Sequence, residues 1–126
     1  MIIVKLIGGL GNQLFQYSLG RHLSIKNNAQ LKLDISGFET YKLHKYSLKN
    51  FNIIENFSSN EEVKKVSINN KILKNINNLL PLRYREYVKE SGRSFTPMIL
   101  ELKDNVYLEG YWQSEKYFKD IEDAVS

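Results

Sequence analysis

The first third of the chain changes from a strand pattern to a helix pattern and back. Ile2–Ile7 is a nearly continuous apolar run, interrupted only by Lys5, and is typical of a buried parallel strand. Residues 12–27 carry apolar side chains at helical spacing, which predicts a helix that packs on a sheet through Phe15, Leu19 and Leu23. Asn27-Asn28 is expected to end this helix, because asparagine tolerates a left-handed cap.

Gln30–Asp34 alternates around two leucines and predicts a second strand that ends at an acidic residue. Strand, glycine loop, helix and strand in this order form a βαβ unit, whose crossover is right-handed in nearly all proteins. The later patterns predict shorter elements: a loop with a short strand at 36–50, a brief strand at 51–54, helices at 60–66 and 68–80, a loop at 91–97, a strand at 106–112, and a helix capped by Ser114. Residues 84–88 stay ambiguous.

Three glycines, Gly8, Gly9 and Gly11, stand between the first strand and the first helix. Glycine lets the backbone turn with positive φ and approach a ligand closely, and the following helix adds unpaired N–H donors. Leu14 stands where the dinucleotide fingerprint needs a glycine, and the loop has no Lys-Ser/Thr pair. The loop therefore indicates phosphate or sugar binding without matching the NAD or Walker A pattern.

The composition is that of an ordinary globular domain, with 126 residues, 42% hydrophobic and 25% charged. There is no cysteine, which excludes disulfides and thiolate metal sites. The net charge of +4 either reflects compositional bias or favours anionic partners. Basic residues are scattered rather than striped, so nucleic acid is not expected as a partner. No apolar run reaches the ~20 residues of a membrane span, and no signal peptide is evident.

Four blocks of the sequence resemble the N-terminal part of glycosyltransferase family 11, the bacterial α-1,2-fucosyltransferases. They are IGGLGNQLFQYSLGRHLS, LDISGF, YKLHKYSLKNFNI and YLEGYWQSEKYF. They occur in the family's order and span nearly the whole chain. A lone GGLGNQ would be a weak signal, but the later GYWQSEKYF makes the resemblance specific.

The resemblance implies the N-terminal Rossmann-like domain of a GT-B-type enzyme over residues 1–126, with a parallel sheet and flanking helices. It implies inverting, metal-independent transfer of fucose from GDP-fucose to the 2-hydroxyl of a galactose-terminated glycan, in surface polysaccharide synthesis. The family's His-x-Arg-Arg-x-Asp motif is absent from this chain. We therefore expect a fragment without its donor-binding domain, inactive alone and prone to self-association through the truncated face. The expected location is the cytoplasm, with at most peripheral membrane contact and no cofactor or metal. The alternative is a non-catalytic module that binds nucleotide or glycan.

The candidate catalytic residues are Asn12, which could donate to a phosphate or sugar oxygen, and Asp34, at a strand end where α/β ligand crevices form. The candidate substrate-binding residues are Gly8, Gly9, Gly11, Gln13, Tyr111, Trp112, Gln113 and Glu115. An arginine is frequent in the matching loop of related fucosyltransferases, whereas Leu10 stands in that stretch here. We therefore expect the missing part of the protein to supply the groups that neutralise the phosphate charge.

Each candidate also has a structural interpretation. Asn12 could only cap the helix, Gln13 could face solvent, and Asp34 could serve a turn. Tyr111 and Trp112 could be core residues rather than a platform for a sugar, and Glu115 could simply complement the helix dipole. Three further residues have alternative interpretations. We expect His22 to be a satisfied core histidine rather than a catalytic one, His44 to be a sugar contact or a surface residue, and Glu109 to be an outward-facing or a site residue. No cluster has metal-ligand spacing.

Overall fold

The computed structural model describes residues 1–40, 43–66, 71–92 and 94–117. Four parallel strands form one sheet in the order β2-β1-β4-β3. The strands are β1 (Ile2–Lys5), β2 (Leu31–Asp34), β3 (Tyr87–Lys89) and β4 (Val106–Glu109). The helices are α1 (Leu10–Lys26), α2 (Asn60–Val66) and α3 (Lys71–Leu79). Short 3-10 turns connect them. The predicted α/β fold with a parallel sheet and flanking helices is confirmed.

One face of the sheet, the apolar face, packs against α1. Alternate strand residues point to opposite faces. The buried aliphatic members of this face are Ile2, Val4, Leu31, Leu33, Val88, Val106 and Leu108. Leu19 and Leu23 of α1 are fully buried with them, as the helical spacing predicts. Asn28 has φ 49° just after the helix, which confirms the left-handed end expected of the Asn27-Asn28 pair.

Gly20 is the residue through which α1 approaches the sheet. A Cβ at this position would lie 2.8 Å from Leu31 Cδ1 and 3.1 Å from Val4 Cγ1. No larger residue fits without displacing a strand side chain, because the core is close-packed. The distance between α1 and the strands is therefore set by a missing side chain.

The opposite face of the sheet, the polar face, carries tyrosines and charged residues on the same strands. Its polar members are Lys5, Lys32, Asp34, Tyr87, Lys89, Tyr107 and Glu109, and the buried Ile3 lies between Lys32 and Tyr107. Helix α2 is joined to this face by Lys32 Nζ, which lies 2.5 Å from Glu62 Oε2. The expected start of α2 is confirmed as a capping box: Ser59 Oγ accepts from Glu62 N at 3.2 Å, and Ser59 N donates to Glu62 Oε1 at 2.9 Å.

Two of the predicted strands are wrong. Residues 51–54 form no strand, because Ile53 N donates to Phe51 O in a tight turn and Ile54 N donates to the Tyr17 hydroxyl at 3.0 Å. The described residues of 36–50 form 3-10 turns and no strand. The ambiguous 84–88 stretch contains the start of β3. The predicted helix at 68–80 is described from Lys71. Of the predicted last helix only the turn Glu115–Tyr117 is described, and the remainder lies outside the described residues.

Two glycines of the same helix allow a matched test of the close packing. We expect Gly20→Ala to lower the free energy of unfolding by about 1–3 kcal/mol, because the new methyl overpacks the core. Gly11→Ala should leave the free energy of unfolding unchanged or raise it by up to about 1 kcal/mol. A Cβ at Gly11 would meet no atom within 4 Å outside its own stretch of helix, and alanine favours the helical conformation. Chemical denaturation of both variants measures the difference, and equal stabilities would contradict the proposed role of Gly20.

Candidate functional site

A cleft of about 440 Å³, the main cleft, opens at the carboxyl ends of β1 and β2. Ligands of open α/β sheets bind at this edge. The lining residues are Lys5, Ile7, Gly8, Asn12, Gly37, Phe38, Thr40, His44 and Tyr111. A second depression of about 320 Å³, the side hollow, shares two of them and is lined by Asn12, Glu90, Tyr111 and Gln113. The structure thus brings four of the predicted site residues, Gly8, Asn12, Tyr111 and Gln113, to one edge of the sheet.

The glycine loop has the tight geometry that its sequence predicts at Gly8. This residue has φ 75°, and a Cβ there would lie 2.5 Å from Asn12 Nδ2. A side chain at this position would be strained and would also displace Asn12. Gly9 lies next along the loop and precedes the helix, and a Cβ there would lie 3.5 Å from His44 Cε1.

Asn12 does not cap the helix, so that structural alternative is wrong. Helix α1 begins at Leu10, two residues earlier than predicted, and its cap position is Gly9, which has no side-chain cap bond. Asn12 lies in the first turn, where its Oδ1 accepts a hydrogen bond from Gln113 Nε2 at 2.5 Å. This bond joins the start of α1 to the segment after β4. The first N–H groups of α1, including those of Leu10 and Gly11, have no acceptor within the helix, and the cleft-lining residues Gly8 and Asn12 precede and follow them in the chain.

Gln13 is fully buried, so the alternative that it faces solvent is wrong. Its Nε2 donates to Gly8 O at 3.0 Å and to Lys45 O at 2.9 Å, and its Oε1 accepts from Ser47 N at 2.9 Å. Both amide hydrogens are thereby used. The amide fixes the glycine loop to the segment at 45–47, while a direct contact with substrate stays a prediction.

Asp34 is also buried, and it lines neither the main cleft nor the side hollow. Its Oδ1 accepts from Ser36 N at 3.0 Å and Ser36 Oγ at 2.7 Å, and its Oδ2 accepts from the Tyr107 hydroxyl at 2.5 Å. Burial, and then the bond to this carboxylate, raise the pKa of Tyr107 above its ordinary value. The geometry favours the turn interpretation, with Asp34 also positioning Tyr107.

Charges alternate across the carboxyl ends of all four strands. From β3 to β2 the last strand residues are Lys89, Glu109, Lys5 and Asp34. Lys5 Nζ lies 3.5 Å from Glu109 Oε1, and Lys89 Nζ lies 3.7 Å from Glu109 Oε2. Glu109 therefore lies between two lysines, which offsets the cost of its partial burial. Lys5 in addition lines the main cleft and brings positive charge into it.

The segment after β4 separates two neighbouring aromatic residues. Tyr111 is 46% exposed and lines both depressions, whereas Trp112 is buried and packs edge-on against Tyr117, with 5.8 Å between ring centroids. Trp112 has φ 55°, an uncommon value for a non-glycine residue. Trp112 is therefore a core residue. Of these two neighbours, Tyr111 is the one that lines the cleft.

Glu90 supports this segment from β3. Its Oε1 accepts from Tyr111 N at 3.0 Å and from Trp112 N at 3.3 Å. Glu115, in contrast, is exposed in its 3-10 turn and lines neither depression. The sequence reasoning missed Glu90 because it lies in a stretch without a clear period. It missed Lys5 because a lysine within an apolar strand was taken only as an interruption.

The two histidines differ in role. His22 Nδ1 lies 2.6 Å from Tyr117 O, which confirms a satisfied histidine within the fold. His44 is exposed and lines the main cleft, so the structure places it where a ligand could touch it. Among the described residues, no group of three acidic or histidine side chains could hold a metal ion. No helix in the described part of the chain is long and apolar enough to cross a membrane.

Among curated proteins, an alpha-1,2-colitosyltransferase of Escherichia coli is 34% identical to this chain over 126 residues. The match covers 99% of this chain and 43% of that relative, so the chain spans less than half of the relative's length. No family model matches, and no solved structure is found to match. The chain is therefore related to a glycosyltransferase.

The buried amide of Gln13 allows a test of how the loop is held. We expect Gln13→Ala to lower the free energy of unfolding by about 2–4 kcal/mol, because a fully buried amide and its three part-buried hydrogen bonds to backbone are lost. Gln30→Ala, at an exposed glutamine, should change it by less than about 0.5 kcal/mol. Denaturant titration gives both values, and limited proteolysis should show faster cleavage near 45–47 in Gln13→Ala alone.

The tyrosines of the polar face predict loss of stability in alkali. Burial, and then the charge of Glu109, raise the pKa of Tyr87 from 10.0 to about 12. Since the folded state holds this proton more tightly than the unfolded state, the contribution is complete below pH 10 and is lost as the pH rises through about 12. Tyr87→Phe should make the fall in unfolding free energy over this range shallower. An unchanged slope would contradict the assignment.

Proposed function

We propose that this chain is the acceptor-side part of a transferase that moves fucose, or a closely related deoxysugar, from a GDP-sugar to the 2-hydroxyl of a galactoside. The observation that carries this proposal is the 34% identity to the colitosyltransferase over 99% of the chain. The cleft lined by the glycine loop supports it, since the loop that resembles the fucosyltransferases lies at the edge where α/β enzymes bind ligands.

Two features of the cleft, its hydrogen-bond donors and an exposed aromatic ring, suit such a reaction. Negative charge grows on the departing diphosphate while the sugar becomes oxocarbenium-like, so donors aimed at that charge lower the barrier. The open N–H groups of α1, the Asn12 amide and the Lys5 ammonium supply such donors. Tyr111 offers an exposed ring, on which the C–H face of a sugar can pack.

Glu90 is our candidate for accepting the proton of the attacking hydroxyl. It lines the side hollow beside Asn12 and Tyr111, where an acceptor lying on the tyrosine ring would come within reach. Only its Oε1 bonds to backbone among the described residues, which leaves Oε2 for a substrate hydroxyl. Asp34, the carboxylate favoured from sequence, has hydrogen bonds to both oxygens and would act by positioning.

Other parts of the proposal concern the whole protein. The relative is more than twice as long as this chain, so we propose that a second, GT-B-type domain completes the donor site, binding GDP-fucose without a metal. We also propose that the protein acts in the cytoplasm, that it takes part in surface polysaccharide synthesis, and that this part of it is inactive alone. A non-catalytic module for nucleotide or glycan is the alternative, and binding without transfer in the full-length protein would favour it.

The donor sugar has a second candidate. The relative's name specifies colitose, which is fucose lacking one ring hydroxyl. A site that hydrogen-bonds this hydroxyl of fucose would strongly reject colitose, because its polar groups would be left unpaired. An apolar site that fits colitose would reject fucose much less strongly. A transfer assay of the full-length protein with GDP-fucose and GDP-colitose would therefore decide between them.

The first binding test is calorimetric titration with GDP, GDP-fucose and a galactose-terminated disaccharide, without added metal. We expect the disaccharide to bind and Tyr111→Ala to weaken it about threefold to tenfold, because the ring contact is lost. Gln30→Ala is the control for a distant surface change. Absence of disaccharide binding would contradict the acceptor-side assignment.

The charge in the cleft has its own test. If GDP binds, Lys5→Met should weaken it roughly tenfold or more, because a charge-assisted hydrogen bond is lost while the apolar stem remains. Lys89→Met is the matched control, since Lys89 pairs with the same glutamate but lies outside the main cleft. Neither substitution should alter affinity for the uncharged disaccharide. Equal effects of the two on GDP would show that Lys5 acts only through Glu109.

A further inference from the structure

Helix α3 packs against the protein with its polar side. Asn77 is buried, its Nδ2 donates to Tyr87 O at 2.8 Å, and its Oδ1 accepts from Glu86 N at 3.1 Å. These bonds attach α3 to the edge strand β3. A surface helix ordinarily packs its apolar stripe inward and leaves its polar side to water. Among residues 72–80 only the polar Asn77 is buried, while the aliphatic side chains are exposed.

The outward side of α3 is aliphatic. Leu73 and Ile76 are each 52% exposed, and Leu79 is 85% exposed. Single apolar residues scattered over a surface are normal. A helical row of them rimmed by polar residues, in contrast, marks a surface that interacts with a protein or a membrane. The hydrogen bonds of Asn77 hold this row outward, so its exposure follows from the fold.

The surroundings of this row are basic. Residues 60–89 contain seven lysines and arginines against three glutamates. Lys74, Arg85 and Lys89 line a hollow of about 210 Å³ together with Asn77, Asn78 and Tyr87, and no carboxylate lines it within the described chain. Arg85 is fixed at the end of α3, because its Nε donates to Leu80 O and its Nη2 to Asn78 O, both at 3.0 Å.

We propose that α3 binds the surface of an anionic lipid bilayer. Leu73, Ile76 and Leu79 would enter the boundary between headgroups and acyl chains, while the neighbouring lysines and Arg85 meet lipid phosphates. This is a mode of lying on a membrane, and it needs no spanning helix.

The size and charge of the surface favour a bilayer over a second copy of the chain. α3 is nine residues long, about 13 Å, and a single helix of this length offers less than the roughly 800 Å² that each partner buries in a stable interface. A symmetric dimer through this face would also place the basic hollows near each other, where like charges repel. An anionic bilayer attracts both the apolar row and the basic rim.

Co-sedimentation with phosphatidylcholine vesicles, with and without phosphatidylglycerol, tests the proposal. The matched variants are Ile76→Ser and Ile54→Ser, because Ile54 is 53% exposed on an irregular segment away from α3. We expect binding to the anionic vesicles only, weakened about fivefold or more by Ile76→Ser and unchanged by Ile54→Ser. High salt should weaken it further, since the lysine and arginine attraction is screened. Both substitutions lie on the surface, and circular dichroism of the two variants checks that each is folded.

Three outcomes would overturn the proposal. They are no binding to anionic vesicles, equal binding to neutral ones, and equal effects of the two serine variants. Light scattering across a concentration series adds a fourth: a dimer that Ile76→Ser abolishes would assign this surface to a second copy. None of these outcomes bears on the cleft, so the proposed transferase function is tested separately.

Discussion

The site depends first on how closely α1 can approach the sheet. Gly20 lacks the side chain that would meet Leu31 and Val4, so the helix lies directly on β1 and β2. The opposite end of the same rigid helix begins at the cleft, with Gly8 turning the chain into it. A helix pushed away at Gly20 would displace its first N–H groups from the strand ends. Core packing and ligand geometry are therefore linked through one element of 17 residues.

Polar side chains, two of them buried and one half-buried, then hold the loops around the cleft. Gln13 bonds the glycine loop to the 45–47 segment, Asp34 bonds β2 to Tyr107, and Glu90 bonds β3 to the segment after β4. Such groups would be costly if unpaired, and each finds its partners in neighbouring backbone or side chains. Each bond also joins two segments that are distant in the chain. The polar residues of the motifs thus stabilise the arrangement in which a few others remain open to a ligand.

Local pattern predicted the elements whose partners are close in sequence. The strand that begins at Ile2, the burial of Leu19 and Leu23 and the helix at 60–66 were predicted correctly, because periodicity and capping are local properties. The strand at 51–54 was wrong, since its N–H groups found a turn and the hydroxyl of Tyr17 rather than another strand. The burial of Gln13 depends on contacts between distant parts of the chain, such as its hydrogen bond to Lys45 O. The same holds for the carboxylate that lines the cleft. Local hydrophobic periodicity contains no information about such contacts.

The fold carries two chemically different surfaces. At the carboxyl ends of the strands, Lys5 and Lys89 flank Glu109, so positive charge in the cleft is partly balanced by a fixed carboxylate. Around α3 the lysines and Arg85 line a hollow without such a carboxylate in the described chain. The Lys5 ammonium is partly neutralised by Glu109, so it binds an anionic ligand less tightly than an unpaired lysine would. Such moderate binding suits a ligand that must leave after the reaction. A cluster of cations whose hollow contains no carboxylate among the described residues, beside an aliphatic row, suits lasting contact with a large anionic surface, where many weak attractions add together. Lys89 belongs to both groups, at the strand edge where the two surfaces meet.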